Sequence, residues 1–259
     1  MTDVFVKCLH AMAAPWRARL LGAPWAWALL VLAAAFPAGA APVFLNEVCA
    51  ANRGGALSPS GSTPDYIELF NTNATAVSLS GYSLSDNPSL PTKYSFPSTA
   101  SIPGRGFLVV WLDDIATNAF ATTNFTLKSS GETLGLYRSG NLVDHVTFGP
   151  QLDDRPMVRV PDGAGAWRVG FPSPGVTNVA LASTNFGTVR ALRLNEWLAT
   201  NSLGADFDWL EIYNPSTNGI VDLGGLVISD LVSNITSPHL RLFSYIAPGD
   251  RYVFWCDGS

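Results

Sequence analysis

One seven-residue pattern is written twice in this chain, and any fold must house both copies. Asp65-Tyr66-Ile67-Glu68-Leu69-Phe70-Asn71 returns as Asp208-Trp209-Leu210-Glu211-Ile212-Tyr213-Asn214. Leu45-Asn46-Glu47 precedes the first copy and Leu194-Asn195-Glu196 the second. After them come Leu79-Ser80-Gly81-Tyr82-Ser83-Leu84-Ser85-Asp86 and Leu223-Gly224-Gly225-Leu226-Val227-Ile228-Ser229-Asp230. The offsets between matched landmarks are 149, 143 and 144 residues, so order is kept while loop lengths change. An ordered series of this kind signals two units of one type.

The local pattern is that of strands. In the first copy Ile67 and Leu69 point to one face and Tyr66, Glu68 and Phe70 to the other, by period-two alternation. Val43–Ala50, Tyr82–Ser85 and Lys93–Phe96 are predicted strands, and Phe107–Leu112 is an apolar run short enough to be a strand buried on both faces. Thr133–Arg138 and Leu142–Phe148 flank Ser139-Gly140-Asn141 and predict a hairpin. Asp86-Asn87-Pro88 and Pro103-Gly104 mark turns. No helical period of twelve residues follows Ala41. Seven to nine short strands about ten residues apart, with no helices between, predict a β-sandwich or barrel. With 23 Gly, 18 Pro and charge limited to 14%, the composition suits such a fold and excludes disorder.

Residues 1–40 have the character of a signal peptide: Lys7, Arg17 and Arg19 lead an apolar run from Trp25 to Phe36, and Ala38-Gly39-Ala40 forms a small-x-small cleavage site before Ala41. A start at Met12 would shorten it to 29 residues. The other reading is an uncleaved anchor, against which stands a run of about twelve residues where a span needs about 20. Cleavage removes three basic groups and Asp3, leaving 12 Lys+Arg against 19 Asp+Glu, a net charge of −7. That balance, without any basic run, argues against nucleic-acid binding. The chain is expected to be exported, secreted or held at the cell surface, touching membrane only through that segment if uncleaved.

The ordered set of residues resembles the lamin tail domain family. It comprises Leu45-Asn46-Glu47, Asp65–Asn71 and Leu79–Asp86, then Ile102-Pro103-Gly104, Gly140–Asp144, Arg159-Val160-Pro161-Asp162-Gly163 and Ser173–Asn178. The resemblance implies an all-β, immunoglobulin-like β-sandwich. It also implies a non-catalytic attachment or interaction module of the kind found in secreted or surface bacterial proteins, often beside hydrolases. A long segment between Cys49 and Asp65 departs from the family pattern. The expected organisation is a signal peptide (1–40), a lamin-tail-like sandwich (43–180), a linker (181–191) and a partial second lamin-tail-like domain (192–259). It is a tandem repeat whose second copy is incomplete.

That second copy keeps Leu194, Leu210, Ile212, Leu226, Ile228, Phe243, Val253 and Trp255 as candidate core. It has no counterparts of Leu134, Leu136, Val143, Val146 and Phe148, so an exposed apolar face and an unpaired edge are expected. On that ground the 259 residues are expected to be a fragment of a longer protein.

Chemistry is sparse. His145 and His239 lie in different repeats, where zinc needs three or four clustered ligands. No nucleophile elbow, P-loop or dinucleotide motif is present. Cys49 and Cys256 stand at non-equivalent places and read as buried thiols rather than ligands or nucleophiles. Asp113-Asp114, Asp153-Asp154, Asp86 and Asp162 have oxygens suited to Ca²⁺, yet no EF-hand spacing accompanies them, and turn formation explains them. Asn73, Asn124 and Asn234 head glycosylation sequons, which matter only in a eukaryotic secretory pathway. Glu47 and Glu68, repeated as Glu196 and Glu211, are the exception, because charge is disfavoured within strands. Adjacent strands would pair them for acid–base or metal chemistry. The structural alternative is that each satisfies backbone donors or an Arg.

The expected function is therefore a non-enzymatic binding or structural module with no cofactor, metal or catalytic residue. It would present loops at the sandwich ends to a protein or glycan. The alternative is the accessory front of a larger secreted hydrolase whose catalytic domain lies beyond residue 259.

Overall fold

The computed structural model describes residues 42–113, 120, 125–199, 208–229 and 239–256. The expected signal peptide (1–40), Asp114 and two of the sequons, Asn124 and Asn234, lie outside these residues. Eleven strands form the first region: β1 (Val43–Cys49), β2 (Tyr66–Asn71), β3 (Val77–Ser78), β4 (Tyr82–Ser85), β5 (Tyr94–Ser95), β6 (Ser101–Ile102), β7 (Phe107–Trp111), β8 (Glu132–Arg138), β9 (Asn141–Phe148), β10 (Met157–Val160) and β11 (Ala166–Val169). Five of them make one sheet in the order β11-β10-β1-β2-β7, and four make a second in the order β5-β4-β8-β9. The short β3–β6 ribbon is a separate ladder whose Ile102 is buried in the same core.

These two sheets are the layers of an immunoglobulin-like β-sandwich. Val43, Leu45, Val48, Ile67, Leu69, Leu108 and Val110 from the first sheet meet Tyr82, Leu84, Leu134, Leu136, Val146 and Phe148 from the second in one buried core. Alternating side chains from facing sheets produce this kind of interior, and each large apolar side chain removed from water stabilises it by roughly 1.5–3 kcal/mol. The β8–β9 hairpin closes through Ser139 and Gly140, both at positive φ (50° and 79°), the backbone a type I′ turn requires. The run Phe107–Leu112 does not become a strand buried on both faces, because β7 lies at a sheet edge and leaves Phe107 and Val109 half-buried.

A bulge decides which way the acidic residues point. Leu45 pairs with Leu69 and Glu47 with Glu68, so Asn46 is an extra residue in β1. A bulge of this kind shifts the alternation by one. Leu45 and Val48 therefore face the core, while Asn46 and Glu47 both face away from it, beside Glu68. On that outer face the long segment after Cys49 folds back. Asn52 Nδ2 donates to the carbonyls of Ala56 and Pro64 (both 2.8 Å), and Ala56 packs with Cys49, Tyr66 and Trp111.

The second region has β12 (Arg193–Leu198), β13 (Asp208–Tyr213), β14 (Val221–Asp222), β15 (Tyr245–Ile246) and β16 (Arg251–Cys256). β12, β13 and β16 form a sheet in that order, and β14 and β15 form a ribbon. The same bulge recurs: Leu194 pairs with Ile212 and Glu196 with Glu211, leaving Asn195 over. Tyr252 and Phe254, opposite Ile212 and Leu210, pack against Val221, Leu223, Leu226 and Ile246. Val253 and Trp255, expected in the core, stand opposite Glu211 and Trp209 on the outer face, because the strand register puts their neighbours inward. Leu194 (39% exposed), Trp197 (65%) and Trp255 (61%) meet solvent.

Residues of the expected linker are bonded at both ends. Leu181 N–H donates to Val169 O (2.8 Å) and Gly187 N–H to Ile220 O (2.7 Å). Leu181 and Phe186 pack on a cluster formed by Leu152 and Val169 of the first region with Ile220 and Tyr245 of the second. Tyr245 N–H also donates to Pro150 O (2.8 Å), and Gln151 Nε2 donates to Phe243 O (2.7 Å).

Candidate functional site

The bulge and the β1–β2 register place Glu47 and Glu68 side by side, both fully buried. Every carboxylate oxygen of the pair accepts a hydrogen bond. Glu47 Oε1 accepts from Tyr66 Oη and from Ser173 N–H (3.0 Å), and its Oε2 accepts from Ser173 Oγ (2.8 Å). Glu68 Oε1 accepts from Asn46 Nδ2 (2.8 Å) and Oε2 from Gly175 N–H (2.5 Å). Asn46 Oδ1 in turn accepts from Gly163 N–H (2.8 Å). Asn178 Nδ2 ties Asn46 O to Arg159 O (3.0 Å each).

The donors come from a turn that its own sequence specifies. Ser173-Pro174-Gly175-Val176 has Pro at the second position, Gly at φ 86° at the third, and a Val176 N–H to Ser173 O bond (3.1 Å). These are the marks of a type II turn. It aims Ser173 N–H, Ser173 Oγ and Gly175 N–H at the two glutamates. β10 holds that segment against the sheet, with Val158 opposite Glu47 and Met157 opposite Val48. From β10 Arg159 reaches across to β9. Its Nη2 meets both Asp144 oxygens (2.8 and 2.9 Å), its Nε donates to Leu45 O (2.9 Å), and its guanidinium stacks on Trp167 at 4.6 Å. The two sheets are thereby pinned together beside the carboxylate pair.

Burial pushes the Glu68 carboxyl up to about 8, against the pull of Asn46 and Gly175, with Glu47 and Asp162 adding to the rise. Burial also raises Glu47, opposed by its bonds from Tyr66 and Ser173. Two carboxylates removed from water beside a third favour holding a proton. In this closed geometry neither carboxyl has an open oxygen or a face to solvent, so the pair acts on the fold: it joins β1 and β2 to the turn at residues 173–178.

The second region assembles half of the same arrangement. Asn195 Nδ2 donates to Glu211 Oε1 (2.6 Å), as Asn46 does to Glu68. Asn214, like Asn71, is buried and donates its amide to three carbonyls: Gly219, Ile246 and Ala247 for Asn214, Thr75, Ile102 and Pro103 for Asn71. The cover differs. Asn195 and Glu196 are exposed, and among the described residues none takes the place of Ser173 or Gly175. The tilted Phe70–Phe107 pair of the first region (4.9 Å) is replaced by Arg251 over the Tyr213 ring (4.5 Å), with Arg251 Nε 3.6 Å from Glu211 Oε1.

The remaining candidates are dispersed. Among the described residues, no three His, Cys, Asp or Glu side chains gather closely enough to hold a metal ion. His145 and His239 are exposed on separate regions. Cys49 is buried, as expected, and burial raises its thiol to about 12, whereas Cys256, expected to be buried, is exposed at the end of β16 opposite the exposed Asp208. Asp154 Oδ1 accepts from the N–H groups of Arg53, Gly54 and Gly55 (2.7, 2.9 and 2.8 Å). Slight burial works against those bonds, but they prevail and hold the carboxyl below its usual value. Asp86 binds Lys93 Nζ (2.7 Å), and Asp162 accepts from Asn46 and Asn178. Asn73, heading the one sequon among the described residues, is exposed. The closing residues Ser173, Gly175 and Asn178 stood out in sequence only within the Ser173–Asn178 landmark of the family resemblance, and nothing there assigned them to the glutamates more than 100 positions away.

Residues 37–150 match the family model of the Lamin Tail Domain, an immunoglobulin-like, non-catalytic family to which this part of the chain is similar. The span includes Glu47, Glu68 and the whole β5-β4-β8-β9 sheet. It stops before β10, the closing turn and the second region. No curated protein and no solved structure gives a significant match to the chain.

Proposed function

We propose that the chain is an exported, non-catalytic binding or structural module built from two lamin-tail-like units in series. The first unit spans residues 43–180, the second begins near residue 192, and residues 181–191 join them. The observation that carries the repeat is geometric. The same Asn bulge, Asn-to-Glu bond and Asn clamp on three carbonyls occur in both regions. What favours a non-catalytic role is the complete occupation of the Glu47 and Glu68 oxygens by protein donors. The partner is a protein or glycan met by surface loops and edges, in line with the net charge of −7 after residue 40.

The test is mass spectrometry of the exported protein, together with elemental analysis. The N-terminus is expected at Ala41 or within a few residues of it, with no stoichiometric metal. An exported pool retaining residues 12–40 overturns the export reading. Bound calcium or manganese that vanishes in Glu68→Gln replaces the structural role with a metal site.

A further inference from the structure

Where the two regions meet they enclose a cleft of about 550 Å³. Its walls are tied to each other: Tyr245 N–H donates to Pro150 O (2.8 Å) and Gln151 Nε2 to Phe243 O (2.7 Å). The floor is apolar, made by Phe171, Ile220 and Tyr245. Phe171 is 44% exposed, and the Arg155 guanidinium stacks on its ring at 5.1 Å and steadies it. The rim is polar. Asn185, Asn218 and Asp250 are exposed there, and among the described residues none of the three side chains is tied up in a hydrogen bond. The backbone beneath them, by contrast, is held. Ile220 N–H donates to Asn185 O (2.9 Å), Asn214 Nδ2 to Gly219 O (2.8 Å), and Asn214 N–H to Asp250 O (3.0 Å). An aromatic floor, a few unspent polar groups on fixed backbone and a seam between two units are the features of a small-ligand site.

We propose that this cleft binds a neutral oligosaccharide. A sugar ring has an apolar face of C–H groups that lies flat on an aromatic ring, and hydroxyls that both donate and accept. The amides of Asn185 and Asn218 supply donors and acceptors together, and the Asp250 carboxylate can accept from two neighbouring hydroxyls. Charge narrows the class. The acidic Asp153 and Asp250 are matched along the walls by Arg155 and Arg251, so the cleft has no net sign and favours neither a polyanion nor a polycation. The rim groups come from three turns and not from a strand edge, the feature by which an extended peptide is paired. The volume falls within the roughly 300–1,000 Å³ usual for small-ligand sites, room for a short stretch of sugar.

This inference rests on the reading of the chain as a non-catalytic binding module. It is tested by isothermal titration of the whole chain with cellohexaose, xylohexaose and mannohexaose, and with hexagalacturonate and hexalysine for comparison. At least one neutral sugar is expected to bind saturably, one per chain, and both charged probes at least about tenfold more weakly. Asn218→Ala combined with Asp250→Ala, and separately Phe171→Ala, should weaken sugar binding at least about tenfold, while Arg168→Ala, exposed on β11, should leave it unchanged. Amide shifts in the wild-type chain should cluster at Gln151, Phe171, Asn218 and Asp250, a readout that holds even if a variant folds poorly. The proposal is overturned if no neutral sugar saturates, if a charged probe binds as tightly, if the cleft variants bind like wild type, or if the shifts cluster elsewhere. Sugar recovered in shorter pieces would leave the cleft standing and break the non-catalytic reading instead.

Discussion

The β1–β2–β7 and β12–β13–β16 sheets carry nearly the same strand chemistry and reach different ends. Both bulge at an asparagine, both pair two glutamates, and both send an Asn amide to the strand glutamate. In the first the glutamates are fully buried with all four oxygens occupied; in the second Glu196 is exposed. What separates them is the strand and turn laid over the first pair. The neighbouring strand thus sets a glutamate's direction and first partner, while its burial is set by chain more than 100 positions away.

The largest contrast is expected at the bulge. Asn46→Ala strips one donor from Glu68 and one from Asp162 and leaves Gly163 N–H without its acceptor in a buried place, and should cost roughly 3–5 kcal/mol in denaturant unfolding. Asn195→Ala, at the exposed position of the second region, should stay within about 0.5 kcal/mol. Equal losses at the two positions would break the comparison.

The clamp is where the regions are alike. Asn71→Ala and Asn214→Ala each orphan buried carbonyls and should each cost roughly 2–3 kcal/mol. A cost at Asn71 alone, read in the same unfolding experiment, would remove the second region from the repeat.

A smaller, pH-dependent effect is expected at Glu68. Its carboxyl is raised from 4.5 to about 8, so the unfolded chain gives up this proton first. Its stabilising contribution is full below about 4.5, declines as the pH rises, and is gone above about 8. Glu68→Gln has no proton to lose. Its cost of roughly 1–2 kcal/mol at pH 5 should shrink as the pH approaches 8. Parallel stability–pH curves for wild type and variant would contradict the raised value.

Much of the sandwich was legible because alternation and turn chemistry are local. β1, β2, β4, β7 and the β8–β9 hairpin lie within a residue or so of their predicted places. The pairing of Glu47 with Glu68 was legible too, as two acidic residues on strands expected to be neighbours. The bulge was not, since Leu45-Asn46-Glu47 reads as plain alternation until the partner strand fixes its register. β10 and β11 were also missed, although Met157-Val158-Arg159-Val160 alternates before Pro161-Asp162-Gly163. Each is four residues long, too short for periodicity to separate from loop. Val253 and Trp255 were placed inward because an apolar run does not say which face meets the core.

Residue-resolved hydrogen exchange on the chain tests the cover-strand account most directly, by comparing the amides of β1 with those of β12. Protection follows whether backbone hydrogen bonds are buried and must open cooperatively. With β10 beside Glu47 and Val48 and β2 along the other side, that end of β1 should exchange only on global unfolding, and the matching part of β12 should exchange at least about a hundredfold faster. Equal protection of the two strands would contradict the claim that, among the described residues, only the first carboxylate pair is closed.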